Sequence, residues 1–122
     1  MSSSLIRVAI VDDDASVRKA LALLLTASSF VAETHESGAE FLRSLAKGKP
    51  HCLVVDLQMP EMTGLELQHR LVSEGVRIPT IAITAHNEFD VQQKCEAAGA
   101  KAFLLKPIQE AVLLDAIKSA LK

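Results

Sequence analysis

The sequence has no tryptophan and no tyrosine, and its 13 lysines and arginines face 15 aspartates and glutamates. Nucleic-acid binding usually relies on a clustered basic surface and on aromatic rings that stack on bases. A formal net charge of −2 and an aromatic content of 3% provide little of either. We therefore expect no direct contact between this chain and nucleic acid.

Long apolar runs and cysteine motifs are scarce as well. No apolar run in the sequence approaches the roughly 20 residues that cross a bilayer, and the opening residues, MSSSLIRV, lack the features of a signal peptide. Cys52 and Cys95 lie in apolar segments without metal-binding spacing, so we interpret them as reduced core thiols. These absences favour a cytoplasmic domain without membrane contact.

Short apolar runs alternate with helical patterns along the whole chain. The 122 residues, 49% of them hydrophobic, fit a single domain over residues 1–122. Most of the runs are continuously apolar, as in parallel strands that are covered on both faces. Five helices are predicted between and after five strands, Leu5–Val11, Phe30–His35, Cys52–Asp56, Thr80–Thr84 and Ala102–Leu105. This alternation predicts an α/β fold, a (βα)5 doubly wound parallel sheet in the order 2-1-3-4-5.

Residues that cap helices mark several of the predicted boundaries. Two segments have the spacing of a capping box, in which a hydroxyl and a carboxylate lie three residues apart: Ser37 to Glu40 and Thr63 to Glu66. Single caps are predicted at Asp14 before the first helix, at Asn87 before the fourth, and at Gly99 after the fourth.

Acidic residues follow two strands that the predicted order makes neighbours. Asp12 and Asp13 come directly after the first strand, and Asp56 ends the third. Ligands in such sheets bind beyond the carboxyl ends of the strands, where the strand order reverses. Carboxylates this close repel one another, and a divalent cation with a preference for oxygen ligands removes the repulsion. The sequence therefore predicts a Mg²⁺ (or Mn²⁺) site.

Two further polar residues end strands in the same layer. Thr84 closes the fourth strand with a hydroxyl, and Lys106 follows the fifth strand with an ammonium group. A metal, a lysine and a hydroxyl around one point are suited to hold a dianionic phosphoryl group. The pattern therefore indicates phosphoryl chemistry at the carboxyl edge of the sheet.

Four segments carry a resemblance to a known family: VDDD, VVDLQMPEMTGLEL, ITAH and FLLKP. In this order and spacing, the chain resembles the receiver domain of response regulators, the CheY-like phosphoacceptor module of two-component signalling. The resemblance covers about residues 5–121 and implies a flavodoxin-like, CheY-like three-layer sandwich. The segment DLQMPEMTGLEL is most similar to receivers of the FixJ type, which are joined to a DNA-binding domain, so the chain is compatible with the N-terminal part of a longer regulator.

The resemblance implies a role for each acidic residue. Asp56 would accept a phosphoryl group from a histidine of a sensor histidine kinase, which is nucleophilic chemistry typical of a carboxylate. Asp13 and Asp56 would bind the metal directly, together with the backbone carbonyl of Gln58. Asp12 would act mainly through a metal-bound water. The domain would then be a signalling phosphoacceptor that assists its own phosphorylation and dephosphorylation, and not an enzyme.

The resemblance also implies phosphate-binding and switch residues. Lys106 and backbone N–H groups near Met59 and Ala85 would bind the phosphoryl oxygens. Thr84 and Phe103 would form the switch. Two residues would influence the lifetime of the phosphoryl group, Gln58 and His86, and one peptide bond would be cis, that between Lys106 and Pro107.

The surface of helix 4, strand 5 and helix 5 is expected to transmit the signal. Phe89 and Leu114 lie off the core stripes of their helices and are candidates for an exposed contact patch. The resemblance implies an output domain or partner protein, with control of transcription as the output. It also implies a second copy of the chain as a partner after phosphorylation.

Three other functions have requirements that bear on this sequence. A phosphatase of the haloacid-dehalogenase kind needs a second acid two residues after its nucleophile, but Gln58 stands there. A flavodoxin-like cofactor carrier needs hydroxyls and glycine after the first strand, where this chain has aspartates that would repel a phosphate. A receiver-like docking module that is never phosphorylated remains the alternative.

Overall fold

A computed structural model of the protein describes residues 5–86 and 88–122. The strands are β1 (Arg7–Val11), β2 (Val31–His35), β3 (Cys52–Asp56), β4 (Thr80–Thr84) and β5 (Ala100–Leu105). The helices are α1 (Ala15–Ala27), α2 (Gly38–Ser44), α3 (Gly64–Ser73), α4 (Phe89–Ala97) and α5 (Glu110–Ala120), with a single 3-10 turn at Leu45–Lys47.

The five strands form one parallel sheet in the order β2-β1-β3-β4-β5, which confirms the predicted topology. Helices cover both faces because successive strand residues point to opposite sides. Val8 and Ile10 of β1 pack with α1 and α5, whereas Ala9 and Val11 pack with α2 and α3. A third cluster joins α4 to the sheet through Leu57, Ala82 and Cys95. The result is a three-layer sandwich.

Two predicted strands, Cys52–Asp56 and Thr80–Thr84, have the observed bounds, and the other three differ at their first residues. The first and second strands begin later than predicted, at Arg7 and Val31. The fifth begins earlier, at Ala100, because the β4–β5 pairing contains a register shift. Thr80 pairs with Ala100 and Ile81 with Ala102, so Lys101 is an extra residue at a bulge.

The predicted helix caps are confirmed in part. Asp14 accepts hydrogen bonds from two N–H groups of α1, and Thr63 forms a complete capping box with Glu66. The α2 box is only half formed, because the Glu40 carboxylate accepts from the N–H of Glu36 rather than that of Ser37. Gly99 has the positive φ predicted for it. Asn87 lies outside the described residues.

The prediction that Leu114 belongs to an exposed contact patch is wrong. Leu114 is half-buried and packs against the cluster that α1 and α5 form with the sheet, because the apolar arc of α5 is wide enough to include it. Phe89, by contrast, is 70% exposed, and Leu105 and Val112 are 43% and 44% exposed. The exposed apolar side chains of this face are therefore Phe89, Leu105 and Val112.

None of the helices in the described part of the chain combines the length and apolar content needed to cross a membrane. Both cysteines are free and buried, as predicted from their apolar surroundings. Burial raises the pKa of the Cys52 thiol to about 11, because an uncharged thiol is favoured away from water.

The raised pKa of Cys52 predicts a loss of stability at alkaline pH. The unfolded thiol ionises near its ordinary pKa of 9.0, whereas the folded thiol ionises near 11. Between these values the unfolded state binds fewer protons, so the free energy of unfolding falls as the pH rises. Urea unfolding from pH 8.5 to 10.5 is expected to show a shallower pH dependence in Cys52→Ala than in the wild type. Equal slopes for the two proteins would contradict this assignment.

Candidate functional site

The sheet brings three carboxylates together at its carboxyl edge. Val11 of β1 pairs with Val55 of β3, so the residues that follow them in the chain, Asp12 and Asp56, lie side by side. One oxygen from each of Asp12, Asp13 and Asp56 lies within 4.8 Å of the other two. Asp12 and Asp56 are buried, whereas Asp13 is exposed.

Asp12 is held in place through its backbone and its side chain. Its N–H donates to the carbonyl of His35 at 3.2 Å, and its own carbonyl accepts from the Arg18 guanidinium at 2.8 Å. Its Oδ1 accepts from the N–H of Asp14 at 2.9 Å. Because Asp14 is itself the cap of α1, the acidic segment runs directly into the helix in a fixed conformation.

Lys106 brings a positive charge to the two buried carboxylates. Its Nζ lies 3.0 Å from Asp12 Oδ2 and 3.5 Å from Asp56 Oδ1. Its backbone N–H donates to the carbonyl of Thr84 at 2.8 Å, and the Lys106–Pro107 peptide bond is cis. The ammonium group is therefore positioned from the end of β5 across β4 to the acids on β3 and β1.

Burial and neighbouring charges both shift the pKa values of Asp56 and Lys106. Burial, with the neighbouring Asp12 carboxylate, raises the pKa of Asp56, and Lys106 offsets only part of this effect. Burial alone would lower the pKa of Lys106, but its close contact with the Asp12 carboxylate and the charges of Asp12 and Asp56 outweigh burial and raise it. The lysine remains a cation, and its single positive charge faces the two buried carboxylates of Asp12 and Asp56.

The donor set fits Mg²⁺ or Mn²⁺. Three carboxylates face a single ammonium group, and all the converging ligand atoms are oxygens, which such cations prefer. Asp12 Oδ2 accepts no well-aligned hydrogen bond from any described residue, even though it is buried near Lys106. A buried carboxylate oxygen without such a bond is available as a ligand. The backbone carbonyl of Gln58 stays a predicted ligand.

A second group of side chains lies beyond the end of β4. Gln58 Oε1 accepts from Thr84 Oγ1 at 2.6 Å and from the N–H of Ala85 at 3.2 Å. Thr84 Oγ1 in turn accepts from the N–H of His86 at 3.1 Å. Gln58 also approaches the acids, because its N–H donates to Asp56 Oδ1 at 3.3 Å. The predicted switch hydroxyl is thus connected to the loop after Asp56.

The remaining predicted residues lie close to this edge in the fold. Met59 is buried in the cluster under α2 and α3, and Phe103 is half-buried on β5. The Phe103 ring packs with the cluster of Leu57, Ala82 and Cys95, and its strand position pairs with Ala82.

Comparison with known proteins identifies the family. The family model of the response regulator receiver domain matches residues 8–118. The chain belongs to this family. This receiver domain is 39% identical over 111 residues to the transcriptional regulatory protein FixJ of Rhizobium meliloti (strain 1021), covering 91% of this chain and 54% of that protein. It is also 39% identical over 113 residues to the response regulator protein TodT of Pseudomonas putida, covering 93% of this chain and 50% of that protein.

Solved structures agree with this assignment. The crystal structure of FixJ-N matches the receiver domain with a TM-score of 0.90 and 37% identity, covering 98% of this chain and 95% of that one. The chain spans about half the length of the curated relatives it matches. It is thus a receiver domain of two-component systems, related to transcriptional regulators.

The sequence alone did not reveal two features of this receiver domain. One is the pair of hydrogen bonds on Gln58 Oε1, since no sequence pattern specifies the conformation of an exposed side chain. The other is Gly64, where an added Cβ would lie 2.5 Å from the carbonyl oxygen of Asp56. Gly64 directly follows the capping residue Thr63 as the first residue of a helix, and a glycine in a helix, where it is unfavourable, was the available signal.

Proposed function

We propose that this domain accepts a phosphoryl group on Asp56 from a histidine of a sensor histidine kinase, in a reaction that requires Mg²⁺ or Mn²⁺. The observation that carries the proposal is the placement of buried Asp56 beside both the acids that follow β1 and the Lys106 ammonium group. With a cation held by the acids on one side and the Lys106 ammonium group on the other, such a site could neutralise the charge of an incoming phosphoryl group. A docking module would not need that arrangement.

In the proposed reaction, an Asp56 carboxylate oxygen forms a bond to phosphorus while the bond from phosphorus to the kinase nitrogen breaks. Lys106 stabilises negative charge on the phosphoryl oxygens, from a position already fixed by Asp12 and Asp56. Asp12, Asp13 and Asp56 would hold the cation, which when bound supplies further neutralisation of phosphoryl charge. Met59 and Ala85 N–H groups would add hydrogen bonds to the phosphoryl group.

Thr84 and Phe103 would report the phosphoryl group to the surface. The Thr84 hydroxyl lies at the end of β4, and its strand neighbour β5 carries Phe103. We propose that the hydroxyl moves to the phosphoryl oxygens and that the half-buried ring shifts inward, which selects one of two existing conformations. Gln58 and His86 would influence how long the phosphoryl group persists.

The output surface would be the face of α4, β5 and α5. Phe89, Leu105 and Val112 give this face exposed apolar side chains, which are typical of contacts with another protein. We propose that it contacts an output domain or partner protein, or a second copy of the chain after phosphorylation. Control of transcription is proposed from the similarity to FixJ, and a cytoplasmic location stays a prediction.

The decisive experiment is intact mass after incubation with phosphoramidate, a small-molecule phosphoryl donor, with Mg²⁺ or with a chelator. The wild type and the control Asp115→Asn, an exposed carboxylate on α5, are expected to gain one phosphoryl mass that requires Mg²⁺. Asp56→Asn is expected to gain none, because its amide is not a nucleophile. A folded wild type that gains no mass with Mg²⁺ would contradict the proposal and favour the docking module.

A further inference from the structure

Gln58 makes a contact whose function is not explained by metal binding. We define the Gln58 contact as the two hydrogen bonds that its Oε1 accepts, from Thr84 Oγ1 at 2.6 Å and from the Ala85 N–H at 3.2 Å. The contact joins the loop after β3 to the end of β4. Both donors belong to residues that the proposed function assigns to the phosphoryl group.

The orientation of the Gln58 amide follows from its partners. A backbone N–H only donates, so the amide atom facing Ala85 is the oxygen. Because the same oxygen also meets Thr84 Oγ1, the threonine must donate its proton there. The threonine oxygen accepts from the N–H of His86 at the same time. The Thr84 hydroxyl therefore has its single proton directed at Gln58, with a neighbouring backbone group supporting that direction.

A phosphoryl group on Asp56 would need the same two donors. The backbone of Gln58 is already bonded to Asp56 Oδ1, so the side chain and the phosphoryl group would lie in the same small region. Thr84 has one proton to donate, and Ala85 has one N–H. The Gln58 oxygen and a phosphoryl oxygen cannot both hold these donors with full geometry.

We propose that Gln58 is a positioning residue that occupies the Thr84 and Ala85 donors before phosphorylation and must release them when Asp56 is modified. This inference rests on the proposed function of Asp56. As the oxygen–phosphorus bond forms and the donor's phosphorus–nitrogen bond breaks, two hydrogen bonds to Gln58 are exchanged for two to phosphoryl oxygens. The exposed Gln58 amide then bonds to water. The contact thus favours the unmodified conformation and slows the gain of a phosphoryl group.

The test compares initial phosphorylation rates at several phosphoramidate concentrations, measured by intact mass with Mg²⁺. Gln58→Leu leaves both donors free, and its rate constant is expected to rise about threefold to tenfold, the range for one or two exposed hydrogen bonds. Gln58→Glu keeps an acceptor oxygen and adds a negative charge, so its rate is expected to equal or fall below the wild-type rate. The control Gln93→Leu, an exposed glutamine on α4, is expected to match the wild type.

Two further readouts separate competition for donors from a general structural effect. In a Thr84→Val background, Gln58→Leu is expected to lose most of its accelerating effect, since the shared hydroxyl is already gone. By NMR, Ala85 amide hydrogen exchange in the unmodified protein is expected to be faster in Gln58→Leu than in the wild type. A phosphorylation rate that is unchanged or lower in Gln58→Leu, or an effect on hydrolysis alone, would overturn the Gln58 proposal while Asp56 still gained phosphoryl. Failure of every variant and the wild type to gain mass would instead overturn the function of Asp56, and the Gln58 proposal with it.

Discussion

Gly64→Ala is expected to lower the free energy of unfolding by about 3 kcal/mol, the upper range for added volume in a packed core. A Cβ at this position would lie 2.5 Å from the carbonyl oxygen of Asp56 and 3.0 Å from Cα of Leu57. Both are backbone atoms, and they are fixed by the pairing of β3 with β4. The end of β3 or the start of α3 would have to move to relieve these contacts. Urea unfolding measures the resulting loss in the free energy of unfolding.

Gly38→Ala is the matched control for Gly64→Ala. Both glycines are buried and are the first residue of a helix. At Gly38 the added Cβ would lie 2.7 Å from Sδ of Met62, which is the flexible end of a side chain and can turn away. We expect a loss below about 1 kcal/mol. Similar losses in both variants would show that backbone contact with Asp56 is not the cause.

Lys106→Met is expected to lower the phosphorylation rate about 100-fold, which is typical for removing one preorganised group that faces developing charge. Methionine is close in length to the apolar stem of lysine and keeps its packing, but it removes the ammonium group that lies 3.5 Å from Asp56 Oδ1. The buried Asp12 and Asp56 carboxylates would then lose their compensating cation. Initial rates with phosphoramidate and Mg²⁺ measure the effect.

Lys101→Met is the control for Lys106→Met, because Lys101 is an exposed lysine on the same strand at the opposite end of the sheet. We expect this variant to phosphorylate at the wild-type rate. Circular dichroism would establish that both variants are folded. A folded Lys106→Met protein with less than a twofold loss of rate would exclude a direct role for the ammonium group.

The parts of the fold that repeat a simple period were predictable. Continuous apolar residues marked Cys52–Asp56 and Thr80–Thr84 with the observed bounds, because both strands are buried on both faces. The start of β5 was not predicted, since the bulge at Lys101 depends on how β5 pairs with β4. Leu114 was placed on the surface for a related reason: the width of the buried arc of α5 depends on the sheet beneath it.

The candidate site was predictable where it depends on strand ends. Asp12, Asp56 and Lys106 each end or follow a strand, and the strand order alone places them at one edge. The Gln58 contact could not be predicted in this way, because it depends on a side-chain rotamer and on the path of the loop after β3. The half-formed capping box of α2 could not be predicted for the same reason, because the rotamer of Glu40 places its carboxylate near the N–H of Glu36 rather than that of Ser37.

The site draws its groups from four strands whose residues are far apart in the sequence, from Asp12 on β1 to Lys106 after β5. Sheet pairing over such separations forms late relative to local helices, because long loops must close first. β5 lies at the edge of the sheet and has a strand neighbour on one side only. A molecule in which β5 has come away keeps Asp56 but has no lysine beside it. If Asp56 accepts a phosphoryl group as proposed, a nascent or partly unfolded chain with an unpaired β5 would accept it slowly, because the Lys106 ammonium group is not in place.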